Sequence, residues 1–278
     1  MNKIDKFYPV KNLFQCPICG KKMRFHAGGL VCKKEHRFDI SSRGYVNFLQ
    51  RDRALKGYDA EFFQSRSRFF AAGFYDHIAD KVAEIAAAEA GEGIIVDAGC
   101  GEGFYSLRLS RQCGARILSF DIAKDAVKIA ASHEEPVRWM VADITDIPLR
   151  DGVADCILDI FTPASYGQFR RVLKKDGILL KVVPGKNHMI QLRQAAGDAI
   201  RNQEYSNEEV LEYFCRHFFL TDRITLSETR EVSEEILPDL LNMTPVLFDV
   251  ERNRIDFSGI REITVEGELL IGRAEGIS

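Results

Sequence analysis

The chain has 278 residues, 46% hydrophobic and 28% charged, enough to bury one large core and leave a small appendage. Seven cysteines, an odd number in a chain this long, argue against a secreted disulfide framework and favour reduced thiols. No run of eighteen apolar residues occurs, and the opening Met1-Asn2-Lys3-Ile4-Asp5-Lys6 lacks the apolar core of a secretory signal, so a cytoplasmic protein without a membrane partner is expected.

The net charge of -3 hides two unlike parts. Residues 1–57 carry 13 Lys/Arg against 4 Asp/Glu, whereas the remainder carries 25 against 37. A basic N-terminal piece of this size is suited to holding a polyanion. Within it Cys16-Pro17-Ile18-Cys19 is followed by Cys32 and His36, a C-x2-C-x12-C-x3-H pattern. Two closely spaced ligand pairs on turns present four donors to one ion, so a tetrahedral Cys₃His zinc site is expected. With all four positions filled by protein, the metal is structural. His26 is a second candidate for the fourth position, but it precedes Cys32 and breaks the paired spacing, which favours His36. Gly28-Gly29 supplies a hairpin turn between the pairs. Residues 1–57 therefore read as a zinc-binding module suited to a polyanion, and residues 58–278 as the main domain.

Residues 59–90 read as helix interrupted near Gly73. Phe70, Phe74, Ile78, Val82 and Ile85 recur at helical steps and form an apolar stripe. Arg66 and Arg68, near its boundary, read as solvated helix charges, with an RNA contact as the alternative.

Next comes a strand, Ile94-Ile95-Val96, which opens into Asp97-Ala98-Gly99-Cys100-Gly101-Glu102-Gly103 and a helix from Phe104. Strand, glycine loop and helix let a backbone approach a ligand closely. The G-x-G-x-G spacing of Gly99, Gly101 and Gly103, with Asp97 placed to hold a cationic amino-acid moiety, favours S-adenosylmethionine over a dinucleotide. A second strand, 115–120, ends at Asp121, a carboxylate suited to ribose hydroxyls. A third, 137–141, leads to Asp143, placed to accept from an adenine amine. Strands 154–160 and 177–183 follow. Strands alternating with helices at this pace predict an α/β fold with a doubly wound parallel sheet. Toward the C-terminus, 204–220 reads as helix and 262–272 as a terminal hairpin.

Asp97 through Tyr105, with Asp121 and Asp143, resemble class I methyltransferases, whose Rossmann-like sheet this pattern matches. Cys16, Cys19, Cys32 and His36-Arg37-Phe38-Asp39 with Gly44-Tyr45-Val46-Asn47 resemble the bacterial 23S rRNA guanine-N1-methyltransferases. The likeness continues through Gln64-Ser65-Arg66, Ala72-Gly73-Phe74-Tyr75, Pro184-Gly185-Lys186-Asn187-His188 and Leu241-Asn242-Met243-Thr244-Pro245. The resemblance implies a zinc module that helps grip a ribosomal RNA hairpin, a homodimer, and cofactor contacts from Tyr75, Gly101, Glu102 and His188. Asp159-Ile160-Phe161-Thr162-Pro163-Ala164-Ser165 departs from the Asn/Asp-Pro-Pro-aromatic loop of enzymes that methylate exocyclic amines, which disfavours such a substrate. Asp159 is the first residue to test as a base, a loop or cap role is equally open, and the base stays unassigned. The competing readings are a small-molecule methyltransferase, against which the basic N-terminus speaks, and a non-catalytic RNA-binding protein on a methyltransferase fold.

Overall fold

A computed structural model describes residues 3–51, 56–200, 206–248 and 250–274. The N-terminal module is built from three short antiparallel strands, β1 (Met23–His26), β2 (Gly29–Cys32) and β3 (Arg37–Asp39), behind a 3₁₀ segment at Asp5–Leu13. His26 pairs with Gly29, so the hairpin turn is Ala27-Gly28 and not Gly28-Gly29. Both turn residues take positive φ, 45° and 76°, as a two-residue turn matching the strand twist requires. Gly29 already belongs to the strand.

A fourth strand, β4 (Tyr45–Asn47), leaves this module and pairs parallel with the edge of the main sheet. Two helices follow, α1 (Ala60–Ala71) and α2 (Asp76–Ala90). Asp59 caps the first by accepting from the Phe62 amide at 2.9 Å, and Gly73 at φ 86° breaks the run as expected. Then come β5 (Ile94–Ala98), α3 (Phe104–Ser110), β6 (Arg116–Asp121), α4 (Lys124–Ala130), β7 (Arg138–Val141), β8 (Ala154–Ile160), α5 (Tyr166–Val172) and β9 (Leu173–Pro184). The remainder forms α6 (Ile190–Ala196), α7 (Glu208–Cys215), β10 (Phe219–Glu231), α8 (Leu237–Met243) and β11 (Glu262–Arg273).

Eight strands make one sheet in the order β10-β11-β9-β8-β5-β6-β7-β4. Every pairing from β4 through β9 is parallel, and β11 runs antiparallel between β9 and β10. The chain winds outward from β5 in one direction, then restarts at β8 in the other. That reversal opens a crevice at the carboxyl ends of β5 and β8. Central strands are buried on both faces, which explains their continuous apolar runs.

Two readings near the C-terminus need correction. The expected helix 204–220 is shorter, because the chain turns to strand at Phe219, and positions 204 and 205 lie outside the described residues. The expected hairpin at 262–272 is one long strand, β11, whose partner β10 lies far earlier in the chain.

The apolar core divides by sheet face. On one face α1, α2, α4, α6 and α8 pack over Ile95, Leu158, Leu180 and Val182. On the other, α5 and α7 share a cluster with the zinc module, in which Phe7, Phe14, Met23, Leu30 and Phe48 meet Val96, Phe120, Met140 and Leu149. The module and the sheet thus share a continuous core. Among the described residues no helix is long and apolar enough to cross a membrane.

Candidate cofactor cleft and zinc centre

Cys16, Cys19, Cys32 and His36 converge, their ligand atoms all within 4.8 Å of one another. The knuckle forms because the Cys19 and Gly20 amides donate to the Cys16 carbonyl, at 3.3 and 2.7 Å. Cys19 Sγ lies 3.7 Å from Cys32 Sγ, and Cys16 Sγ lies 3.4 Å from His36 Nδ1. A tetrahedron with zinc–sulfur bonds of about 2.3 Å has edges of roughly 3.8 Å, so the donor set fits zinc. His26 is exposed and outside the cluster. All seven cysteines are unbridged.

The zinc knuckle sits against the main domain by backbone hydrogen bonds. The Gln15 amide donates to the Pro148 carbonyl at 3.1 Å, and the Arg150 amide to the Leu13 carbonyl at 2.8 Å. From the opposite side Arg171 donates to the Leu149 and Ile147 carbonyls at 2.6 and 2.8 Å. Two neighbours therefore clamp the loop after β7, which carries Asp143.

That loop borders a cleft of about 370 Å³ at the sheet crevice, lined by Gly99, Asp121, Ala142, Asp143, Phe161 and Thr162 among others. Asp121 accepts from the Gly101 and Ala123 amides, both at 2.8 Å, one on each oxygen. Each oxygen keeps lone-pair capacity for a ligand hydroxyl. Asp143 accepts from the Thr145 amide and hydroxyl at 2.9 and 2.7 Å. Two glycines of the loop have no room for side chains. A Cβ at Gly99 would stand 2.5 Å from the Thr162 hydroxyl, one at Gly103 would stand 2.6 Å from the Trp139 ring, and both residues have positive φ.

Asp97, by contrast, points inward. It accepts from the Ser106 hydroxyl at 2.5 Å, and Ser106 lies 2.7 Å from Ser119. Burial pushes its pKa up to about 7, against the Ser106 hydrogen bond. An unfolded Asp, near 3.8, releases its proton first, so folding binds a proton through this window. Stability should fall as pH rises from about 4 to 7, by on the order of 3 kcal/mol from this group. Denaturant titrations of wild type and Asp97→Asn at pH 5 and pH 7.5 check this. Equal pH dependence in the two proteins contradicts it.

A second cleft, of about 360 Å³, adjoins the first at Tyr58, Arg66 and Phe161, and is lined by Tyr75, His188 and Met243. Tyr75 and His188, which no spacing rule singles out, face each other here with the Tyr75 hydroxyl 3.4 Å from His188 Nε2. His188 Nδ1 accepts the Glu266 amide at 3.2 Å, leaving Nε2 to carry the proton. Burial lowers the His188 pKa to about 4, so the ring is neutral near pH 7. Phe161 completes the cluster from a left-handed backbone, φ 53°. Its ring lies 5.7 Å from Tyr75 and 5.5 Å from His188. Packing on both sides holds it in that conformation.

Arg66 is not the solvated charge that its helix position suggests. Its side chain is 18% exposed and lies beside Glu102. Arg68, two positions on, points elsewhere and forms a bidentate pair with Asp239 at 2.6 and 2.8 Å. Asp159 is fully buried in β8 and accepts from Lys181 Nζ at 2.7 Å.

Comparison with known proteins bears on this geometry. The Methyltransferase domain family matches residues 95–177, and the family described as RlmA, N-terminal matches residues 14–53. The Bacillus subtilis protein YxjB, assigned to the 23S rRNA (guanine-N(1)-)-methyltransferases, is 34% identical over 94% of this chain and 97% of its own length. The chain belongs to the 23S rRNA guanine-N1-methyltransferase family. A second relative, the 23S rRNA (guanine(748)-N(1))-methyltransferase of Streptomyces fradiae, is 29% identical, covering 92% of this chain and 95% of its own. The YcgJ protein of Bacillus subtilis superposes with a TM-score of 0.52 at 19% identity, over 72% of this chain and all of its own, which speaks for the fold alone. As a member of this methyltransferase family, the chain has S-adenosylmethionine as its cofactor and zinc as its structural metal. Asp121 and Asp143 on the cleft wall and the closely packed Gly99 and Gly103 fit the former, and the four-donor cluster fits the latter.

Proposed function

We propose that this chain methylates N1 of a guanine in a hairpin loop of 23S ribosomal RNA, as a homodimer, with residues 1–57 gripping RNA and residues 58–278 carrying the chemistry. Support comes chiefly from one observation: a basic zinc ribbon, matched to the family along with nearly the whole chain, is hydrogen-bonded to the loop that borders the cofactor cleft. That arrangement supports the reading, because a polyanion held by the basic ribbon would lie near the cofactor cleft.

S-adenosylmethionine supplies an activated methyl group on a sulfonium. The chain's own contribution is alignment. In this reading Gly99, Gly101 and Gly103 admit the cofactor, Asp121 takes the ribose hydroxyls and Asp143 the adenine amine, while Glu102, Tyr75 and His188 face the amino-acid end. Asp97 acts from beneath, fixing the start of α3 through Ser106. Guanine N1 carries a proton that must leave for the nitrogen lone pair to attack. Asp159 is tied to Lys181 within the sheet, so the base remains unassigned. Phe161, on the wall between the two clefts, is placed to stack on a splayed base.

Labelled S-adenosylmethionine should mark deproteinised 23S rRNA when incubated with the protein, and leave a metabolite extract unlabelled. Because a methyl on N1 blocks Watson–Crick pairing, reverse transcription should stop one nucleotide before the modified guanine. Label confined to small molecules would remove the RNA reading.

A further inference from the structure

Glu102 is 4% exposed, yet neither of its carboxylate oxygens accepts a hydrogen bond from another residue. Buried carboxylates are normally paired and hydrogen-bonded, because an unsatisfied one carries the full desolvation cost. The nearest cation is Arg66, whose Nε stands 3.5 Å from Glu102 Oε1, too long for a good charge-assisted hydrogen bond.

Arg66 is held where it is from several directions. It projects from α1 across the start of α3, and its guanidinium lies 4.9 Å from the Phe70 ring centre. A Cβ on Gly101 would stand only 3.0 Å from its Nη1. The same residue lines both clefts where they meet. An arginine at the junction of the two clefts therefore stands beside a buried, under-satisfied carboxylate of the glycine loop.

The amino-acid end of S-adenosylmethionine is a zwitterion with charges of the opposite arrangement. We propose that Arg66 binds the α-carboxylate of the cofactor and Glu102 its α-ammonium, so that this pair selects ligands retaining the amino-acid end. Ligand entry exchanges one long internal ion pair for two hydrogen-bonded ones, and it satisfies both orphaned oxygens. The guanidinium fork matches a carboxylate in a way a lysine cannot. This assignment rests on the reading of the pocket as a cofactor site, and it adds to it a residue that discriminates among nucleoside ligands.

Calorimetric titration with two ligands tests it. S-adenosylhomocysteine and 5′-methylthioadenosine share the nucleoside and the thioether, but only the first has the amino-acid end. In Arg66→Met, affinity for S-adenosylhomocysteine should fall about 10- to 100-fold, while affinity for 5′-methylthioadenosine stays within about threefold. Retained binding of the second ligand also reports an intact fold. Because Arg66→Met leaves Glu102 buried without a cation, Arg66→Met/Glu102→Gln provides a neutral pair, and it should show the same selective loss. Arg66→Lys should recover only part of it. Equal losses for the two ligands, or none, would overturn the assignment. Wild-type protein that binds neither ligand would overturn the cofactor site itself, and the assignment with it.

Discussion

Replacing Cys32 with Ser should release zinc, lower the melting temperature by roughly 10 °C or more, and weaken S-adenosylhomocysteine binding about tenfold or more. Zinc loss frees the Cys16 knuckle, and Cys16 immediately follows the Leu13–Gln15 segment that hydrogen-bonds the loop at Pro148 and Arg150. That loop carries Ala142 and Asp143, on the cleft wall. The module's core residues are also the sheet's core residues on that face, so unfolding one exposes the other. An appendage on a linker, the arrangement that charge distribution alone suggests, would lose its metal and spare the cofactor. Metal content by elemental analysis, scanning calorimetry and ligand titration on one sample decide the matter. Full cofactor affinity in a metal-free variant would mean that the shared core does not couple the two sites.

Lys181→Met should destabilise the fold by about 3–5 kcal/mol, since removing one partner of a buried ion pair leaves the other unpaired. Asp159 has no exposure, its second oxygen already lacks a partner, and Lys181 is 4% exposed. Burial pushes the Asp159 pKa up to about 6 even with Lys181 beside it. The same ammonium donates to the Thr162 carbonyl at 3.2 Å, so its loss also loosens the loop that closes over Gly99. Replacing both charges, Lys181→Met/Asp159→Leu, should return most of the stability, because the pair's desolvation cost disappears with it. Denaturant unfolding at pH 7 measures both variants. A single variant within about 1 kcal/mol of wild type would show that water reaches the pair.

The zinc site was legible because its ligands are set by local spacing, and nothing distant can move four donors that a hairpin already brings together. Strands β5, β6, β7, β8 and β9 were legible for a different reason: strands buried on both faces are mostly apolar along their length. The strand β10 was not, because an edge strand keeps half its residues in solvent. Thr221-Asp222-Arg223-Ile224-Thr225-Leu226-Ser227-Glu228 carries only Ile224 and Leu226 as an inward signal. With that partner unseen, 262–272 reads as a hairpin by itself. Arg66 was misread because helical spacing says which residues share a face and not what covers it. Two positions apart on one helix, Arg66 and Arg68 point in widely different directions, and only the fold reveals that one meets Glu102 and the other Asp239. Tyr75 and His188 meet across 113 positions of sequence, a proximity that no spacing rule encodes.

The strand β4 has a consequence for how such proteins can be rebuilt. Tyr45, Val46 and Asn47 pair with Trp139, Met140 and Val141, so the basic ribbon ends as a piece of the catalytic sheet. An RNA-binding cassette on a tether can be exchanged between enzymes by joining linkers. Transplanting this one would strip the rim from the sheet and leave Met140 and Phe120 uncovered. Chimaeras joined beyond residue 57 should therefore aggregate unless the recipient's outermost strand is exchanged along with the ribbon.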